Sequence, residues 1–133
     1  MELQPGTILY LHCDFIRPAK EKFLALLCKE PMPLFFFINS GIRPFIQRRE
    51  SLRRCQVRIG ADDHPCLDYD SWVDCTEACT VSDYLRQIER NEARIKDRVS
   101  ADVLGAIIEA TKQSPLIPEL QKEWILAGSS KAN

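Results

Sequence analysis

The stretch that decides the fold is Leu34-Phe35-Phe36-Phe37-Ile38-Asn39, a short apolar run dominated by aromatic side chains. A run of this length and composition predicts a buried strand rather than a helix. The segments 7–13 and 23–28, which precede it, have the same apolar, β-forming character. Pro31 and Pro33 separate the last two runs and prevent a regular element between them. Three strands joined in order by short connections predict an antiparallel meander.

Downstream of the meander, the sequence becomes irregular from residue 41 to about residue 52. The segment Cys55-Gln56-Val57-Arg58-Ile59 then alternates apolar and polar side chains, which predicts a half-exposed strand. A polar turn follows, and the segment 66–75 is predicted to hold one or two short strands around Tyr69 and Trp72. These elements complete the predicted β-structure, which extends over about residues 5–75.

The last third of the sequence has helical periodicity, and about residues 80–126 are predicted to be helical. Thr80 and Asp83 resemble a capping box, followed by one apolar face. Ser100 is a predicted N-cap for a helix over 101–112, whose apolar residues form one stripe. A last short helix is predicted over 118–126 and a loose tail from residue 128. We therefore expect an α+β fold in one domain over residues 1–133.

Length and composition indicate a globular protein. The chain has 133 residues, of which 45% are hydrophobic and 28% charged. No run of 18 apolar residues is present, so we expect no membrane-spanning helix. The beginning of the sequence has no signal-peptide pattern, so we expect a cytoplasmic protein.

The six cysteines are predicted to be free thiols, since the expected compartment is reducing. We expect no bound metal and no cofactor. A zinc site built from His12, Cys13, Cys75 and Cys79 is the less favoured alternative, because structural zinc ligands usually come as two tight pairs.

The charges are divided along the chain although the net charge is only −1. Residues 43–58 contain six arginines and one acid, whereas residues 62–77 contain six acids and no lysine or arginine. The arginines could form a patch that faces an anion, or they could pair with the acids across the fold. The acid-rich segment 68–74 could bind a cation or a base, but the favoured interpretation is that it shapes a turn through side-chain hydrogen bonds to the backbone.

The order of these segments resembles the PemK/MazF-like toxins of bacterial toxin–antitoxin systems. Pro5-Gly6-Thr7-Ile8-Leu9-Tyr10 is similar to the opening strand of that family, and 36–40 resembles its third strand, which ends in Thr or Ser. Residues 82–88 and 96–104 resemble the family's ending, where a basic stretch precedes a helix. The stretches 34–46 and 67–75 suggest a divergent branch of the wider PemK-like group.

The resemblance implies a small SH3-like antiparallel β-barrel with C-terminal helices, usually assembled as a homodimer. It also implies an endoribonuclease that cleaves single-stranded RNA without metal and is neutralised by a cognate antitoxin. In the family's catalytic pair, an arginine precedes the second strand and a Thr or Ser ends the third. The matching residues here are Lys22 and Ser40. A fixed cation would stabilise the charge that develops at phosphorus, and a hydroxyl would orient or shuttle a proton.

The RNA-binding surface is predicted to use Arg17, Arg43, Arg48 and Arg49. Phe45 and Tyr69 are candidates for base stacking, with a core position as the alternative for Phe45. Lys22 replaces an arginine and so loses the planar two-pronged contact with phosphate. This departure keeps a second function open: a non-catalytic binding module on the same fold. Such a module would be either a degenerate RNA binder or a protein-binding toxin like the gyrase-poisoning CcdB type.

Overall fold

The computed structural model describes residues 3–90 and 94–131, apart from the side chains of residues 94, 130 and 131. Strands dominate the first part of the chain and helices the last. The elements are, in chain order, β1 (Thr7–Cys13), β2 (Lys20–Cys28), β3 (Leu34–Asn39), α1 (Pro44–Gln47), α2 (Glu50–Arg53), β4 (Gln56–Ile59), β5 (Ser71–Asp74), α3 (Tyr84–Glu89), β6 (Arg94–Arg98), α4 (Ala101–Gln113) and α5 (Glu119–Lys131).

The strands form one six-stranded sheet in the order β4-β5-β3-β2-β1-β6, and every neighbouring pair is antiparallel. Leu24 in β2 lies opposite Leu9 on one side and Phe37 on the other, so the predicted meander is confirmed. The sheet curls strongly into a half-barrel. An α+β fold with an antiparallel, curled sheet therefore agrees with the sequence.

The prediction of a purely helical segment over 80–126 is wrong at Arg94–Arg98. These residues form β6, which pairs with β1 so that Ile95 lies opposite Leu9. The segment is mostly charged and has no apolar alternation, so its sequence gives no strand signal. Its conformation is determined by the free edge of β1, which supplies the hydrogen-bond partners.

The two faces of the sheet carry two separate apolar clusters. The first, here called the helix face, is covered by α4, which packs against β4, and by α5, which packs against β2. The second, here called the open face, is covered by α3 and the segment that leads into it. Helix-face residues include Ile8, Ala25, Phe36 and Val73, together with Ile107 and Ile125 from the helices. Open-face residues include Leu9, Leu11, Leu24 and Phe35, together with Val81 and Tyr84.

The helices on the helix face begin where the sequence predicts and extend further. Ser100 caps α4, because its Oγ accepts a hydrogen bond from the Val103 amide at 3.2 Å. The predicted tail from residue 128 is wrong, since α5 continues to Lys131. A side chain at Gly128 would lie 3.3 Å from the Leu27 carbonyl oxygen, so glycine permits this close approach of α5 to β2.

The predicted capping box before α3 is also wrong. Asp83 occupies the N-cap position itself, and no side chain caps the helix. Leu85, an apolar residue in the first turn of α3, is 57% exposed, so the apolar face predicted after Asp83 is only partly buried. The helix begins at Tyr84, too late for Asp83 to be its third residue.

One side chain of α3 takes the place of a strand at the edge of β1. Among the residues that the structure describes, the pairing of β1 with β6 extends as far as Tyr10, which lies opposite Arg94. Further along β1, the buried Gln87 accepts a hydrogen bond from the His12 amide at 2.9 Å through Oε1. Its Nε2 donates to the His12 carbonyl at 3.0 Å. A glutamine amide thus satisfies both backbone groups of His12.

In the described ranges, no helix has the length and apolar character needed to cross a membrane.

Candidate functional site

A cleft of about 640 Å³ opens at the end of the open face. Its walls come from the β1–β2 loop, the ends of β2 and β3, the loop after β3 and the segment that follows β5. Four basic side chains line it: Arg17, Lys20, Lys22 and Arg43. Along most of each strand of the meander, the side chains on the open face are apolar. At this end of the strands they are polar.

Lys22 is held in one orientation by two residues of β3. Its Nζ donates a hydrogen bond to Asn39 Oδ1 at 2.9 Å and lies 5.6 Å from the centroid of the Phe37 ring. Burial lowers the pKa of Lys22, and the positive charges of Lys20 and Arg43 lower it further, against an opposing effect of Cys13. The ammonium is therefore a fixed cation and a better proton donor than an exposed lysine.

Ser40 directly follows β3 and is exposed at the wall of the same cleft. Its neighbour Asn39 is the residue that binds Lys22. The β2–β3 pairing, in which Phe23 lies opposite Ile38, therefore brings Lys22 and Ser40 to one site although they are far apart in the sequence.

A buried carboxylate anchors the far wall of the cleft. Asp74 Oδ1 accepts hydrogen bonds from Gln56 Nε2 at 2.8 Å, from the Thr76 amide at 3.0 Å and from the Thr76 hydroxyl at 2.6 Å. Its other oxygen forms an ion pair with Arg43 at 3.3 Å. Only 5% of the Asp74 side chain is exposed, against 54% for Arg43. The carboxylate is thus fixed, and it restrains the guanidinium at the cleft.

Some arginines of the basic segment pair with the acidic segment across the fold, and within the described residues others are free to face an anion. Arg43 pairs with Asp74 and Arg58 with Asp70, which joins the basic and acidic segments. In the described part of the chain, no acid lies within ion-pair distance of Arg48 or Arg49. The turn interpretation of the acidic segment is confirmed at Asp74, which accepts from the Thr76 amide two residues on. Asp70 instead accepts from the Ala61 amide, nine residues away in the sequence.

The predicted RNA-binding arginines do not all lie together. Arg17 and Arg43 line the cleft, whereas Arg48 and Arg49 lie outside it, between α1 and α2. Phe45 is 51% exposed, so the core alternative for this residue is wrong. Its ring instead lies 5.0 Å from the Arg43 guanidinium. Tyr69 is exposed but does not line the cleft.

An aromatic pair was missed by the sequence interpretation. Phe15 is 46% exposed at the mouth of the cleft, and its ring centroid lies 6.1 Å from that of Phe37. Lys20 and Asn39 were also missed. The available signal was an aromatic residue in the loop two positions before Arg17, since an apolar side chain in an exposed loop often contacts a ligand.

The alternative zinc set is not assembled. Cys75 belongs to the helix-face cluster, whereas Cys13 and Cys79 belong to the open-face cluster. His12 points away from Cys13 and pairs with Glu21 at 3.4 Å. Neighbours on a strand point to opposite faces, which is why His12 and Cys13 cannot share a ligand site. All six cysteines are free thiols.

The fold and site define a small α+β protein with a cationic cleft that combines a fixed ammonium, a hydroxyl, two arginines and an exposed aromatic ring. Such a cleft can bind a phosphodiester and stack a base beside it. No model of a known protein family matches the chain, and no curated protein matches it either.

Proposed function

We propose that this chain is a toxin-like endoribonuclease of the PemK/MazF type, which cleaves single-stranded RNA in its cationic cleft. The observation that carries this proposal is the meeting of Lys22 and Ser40 in one cleft with Arg17 and Arg43. Lys22 and Ser40 were selected from the sequence alone, as the counterparts of a catalytic pair. Their shared position is what such a pair requires.

The proposed chemistry uses the RNA's own 2′-hydroxyl as nucleophile and needs no metal. As this oxygen attacks phosphorus, negative charge develops on the phosphate oxygens, and the fixed ammonium of Lys22 stabilises it. The Ser40 hydroxyl orients the reacting groups or relays a proton. Asn39 and Phe37 keep the lysine in place, which partly replaces the rigidity that an arginine would bring.

The other cleft residues fit RNA binding. Arg17, Lys20 and Arg43 would contact phosphates on either side of the scissile bond. Phe15 offers an exposed ring on which an unpaired base stacks, with Phe37 behind it. Arg48 and Arg49 would engage only an RNA that continues past α1. The cleft therefore favours a single strand over a duplex, because an unpaired base is needed for the stacking.

The finer fold and the partners belong to the same proposal. The curled six-stranded sheet with its C-terminal helices would be a divergent PemK-like version of the SH3-like barrel. The chain would act in the cytoplasm as a homodimer and be neutralised by a cognate antitoxin. Light scattering at several concentrations tests the dimer. Co-purification with the product of an adjacent open reading frame tests the antitoxin.

The experiment for the activity is cleavage of a long, end-labelled single-stranded RNA in EDTA, with the cuts mapped by primer extension. We expect discrete cuts by the wild-type protein and a loss of about 10²–10³-fold in rate for Lys22→Ala. Ser40→Ala should also cut more slowly, and Lys22→Arg should retain cleavage. Lys29→Ala is the matched control, because this exposed lysine lies outside the cleft. Equal rates for Lys22→Ala and Lys29→Ala would refute the assignment.

A second candidate is a binding module that holds RNA without cutting it. The observation in its favour is that the Lys22 ammonium already donates to Asn39 and lacks a guanidinium's two-pronged geometry. In that case the RNA would stay intact in EDTA, but filter binding would depend on Arg17 and Arg43. If the protein neither cuts nor binds RNA, a protein-binding toxin is the remaining candidate function.

A further inference from the structure

The ends of β4 and β5 bring two cysteines opposite each other. Gln56 is paired with Asp74 in the antiparallel ladder, so the next pair outward is Cys55 and Cys75. The Cys75 amide donates a hydrogen bond to the Cys55 carbonyl at 2.9 Å, which shows that the pairing continues to these residues. Directly opposite side chains lie on the same face of a sheet, and both cysteines belong to the helix-face cluster.

This position satisfies the backbone requirement for a disulfide. Opposite residues in a hydrogen-bonded antiparallel pair have Cα atoms about 5.5 Å apart. Disulfides are found at Cα separations of about 4.4–6.8 Å. The thiols now donate only weak hydrogen bonds, from Cys55 Sγ to the Ser51 carbonyl at 3.4 Å and from Cys75 Sγ to the Val73 carbonyl at 3.8 Å. A sulfur–sulfur bond would replace these contacts after both side chains rotate.

The other cysteines have different cross-strand neighbours. Cys13 lies opposite Lys20, and Cys28 lies opposite Leu34. Cys79 forms an isolated antiparallel β-bridge with Phe35 through backbone hydrogen bonds. Cys66 lies outside the strands. The Cys55–Cys75 arrangement is therefore specific to this end of the sheet.

We propose that Cys55 and Cys75 are a redox pair that hydrogen peroxide oxidises to an intrachain disulfide. In the first step the Cys55 thiolate attacks a peroxide oxygen and the O–O bond breaks. Cys55 becomes a sulfenic acid, and the departing hydroxide takes up the released proton to form water. In the second step Cys75 loses its proton and attacks the Cys55 sulfur. The S–S bond forms, the S–O bond breaks, and a second water leaves. Two thiols are oxidised and one peroxide is reduced to two waters.

Burial controls the rate of this reaction. Both side chains are fully buried, so the oxidant must be small, or the end of the hairpin must open to admit it. Burial raises the pKa of the Cys55 thiol and raises that of Cys75 more strongly. Cys55 is therefore the first nucleophile. Oxidation is expected to be slow, and reduction of the buried disulfide by dithiothreitol is expected to be slow as well.

The test is to treat the folded wild-type protein with hydrogen peroxide, alkylate the remaining thiols under denaturing conditions, and digest it with trypsin. Cleavage after Arg54 and Arg58 places Cys55 in the peptide 55–58. We expect mass spectrometry to find this peptide joined to the peptide that contains Cys75. Cys79→Ser is the matched control, since it removes another cysteine of that second peptide and should keep the linkage. Cys75→Ala should abolish it.

Linkage of Cys55 to a different cysteine would overturn the proposal. So would sulfinic acid at Cys55 while Cys75 remains a thiol, or the survival of both thiols when other cysteines of the chain are oxidised. A second measurement uses the same samples. The oxidised protein should unfold several degrees higher than the reduced one, and dithiothreitol should reverse the shift, because the bond closes the loop 56–74. No step uses RNA, so the outcome is independent of the proposed nuclease activity.

Discussion

The two faces of the sheet are made by the same strands but end differently. On the helix face, α4 and α5 cover the apolar side chains along the sheet. On the open face, α3 covers Leu9 and Phe35, but the cover stops before Lys22 and Asn39. The cleft is therefore the uncovered end of a core, where alternate strand positions change from apolar to polar. The comparison teaches that the helix face is closed along its length, whereas the open face leaves one end of its core uncovered as a cationic cleft.

The largest effect should come from the helix face. Ile107→Ala removes a fully buried side chain of α4 and should cost about 2–5 kcal/mol of unfolding free energy, because a cavity remains. Urea unfolding measures this loss. Ile108→Ala, at a half-buried position in the same helix, is the control and should cost less. Equal losses at both positions would contradict the role given to the helix face.

The second-largest effect should be a loss of stability at alkaline pH, caused by two thiols of the open-face cluster. Burial raises the pKa of Cys13 to about 11 and that of Cys79 to about 12. Below pH 9 these thiols are neutral in both the folded and the unfolded chain. Above it only the unfolded chain ionises, so stability falls until the folded pKa is reached. For Cys79 the slope should be about 1 kcal/mol per pH unit.

Urea titrations at pH 8, 9, 10 and 11 measure the alkaline slope, and Cys79→Ala separates it from the titration of lysines and tyrosines. This variant should lose less stability per pH unit than the wild type. An unchanged slope would mean that the Cys79 thiol is not shielded by the open-face cluster.

Asp74 is buried in the fold and also lines the cleft, and its substitution should have an intermediate effect on stability. Asp74→Asn keeps an oxygen for Thr76 and Gln56 but loses the carboxylate charge and the oxygen that pairs with Arg43, which should cost about 1–3 kcal/mol. Urea unfolding again gives the value. Asp70→Asn removes the exposed pair with Arg58 and should cost less. A larger loss at Asp70 would reverse the expected order.

The smallest effect should have the opposite sign. Lys22→Met removes a half-buried ammonium and its desolvation cost, and should raise stability by up to about 1 kcal/mol. RNA binding should weaken in the same variant. Filter binding and urea unfolding on one preparation measure both. A variant that lost stability and kept full RNA affinity would contradict the role proposed for Lys22 in the cleft.

The sequence predicted the elements that repeat a pattern and missed those that depend on distant partners. The meander and α4 follow from apolar runs and from the Ser100 cap. β6 and the end of α5 do not, because the edge of β1 and the close approach at Gly128 determine them. The same division holds at the site. Lys22 and Ser40 could be proposed from the resemblance of the sequence to the PemK/MazF-like toxins. The bond from Lys22 to Asn39 and the anchoring of Arg43 by Asp74 require the tertiary structure.

Gln87 has a consequence for the behaviour of the protein at high concentration. An unpaired backbone edge is a template on which another chain can add a strand and begin a fibril. At His12 that edge is occupied by a side chain of the same molecule, which offers a donor and an acceptor and then ends. Unlike a strand, an amide cannot propagate the ladder. Gln87 thus blocks the addition of a strand at His12.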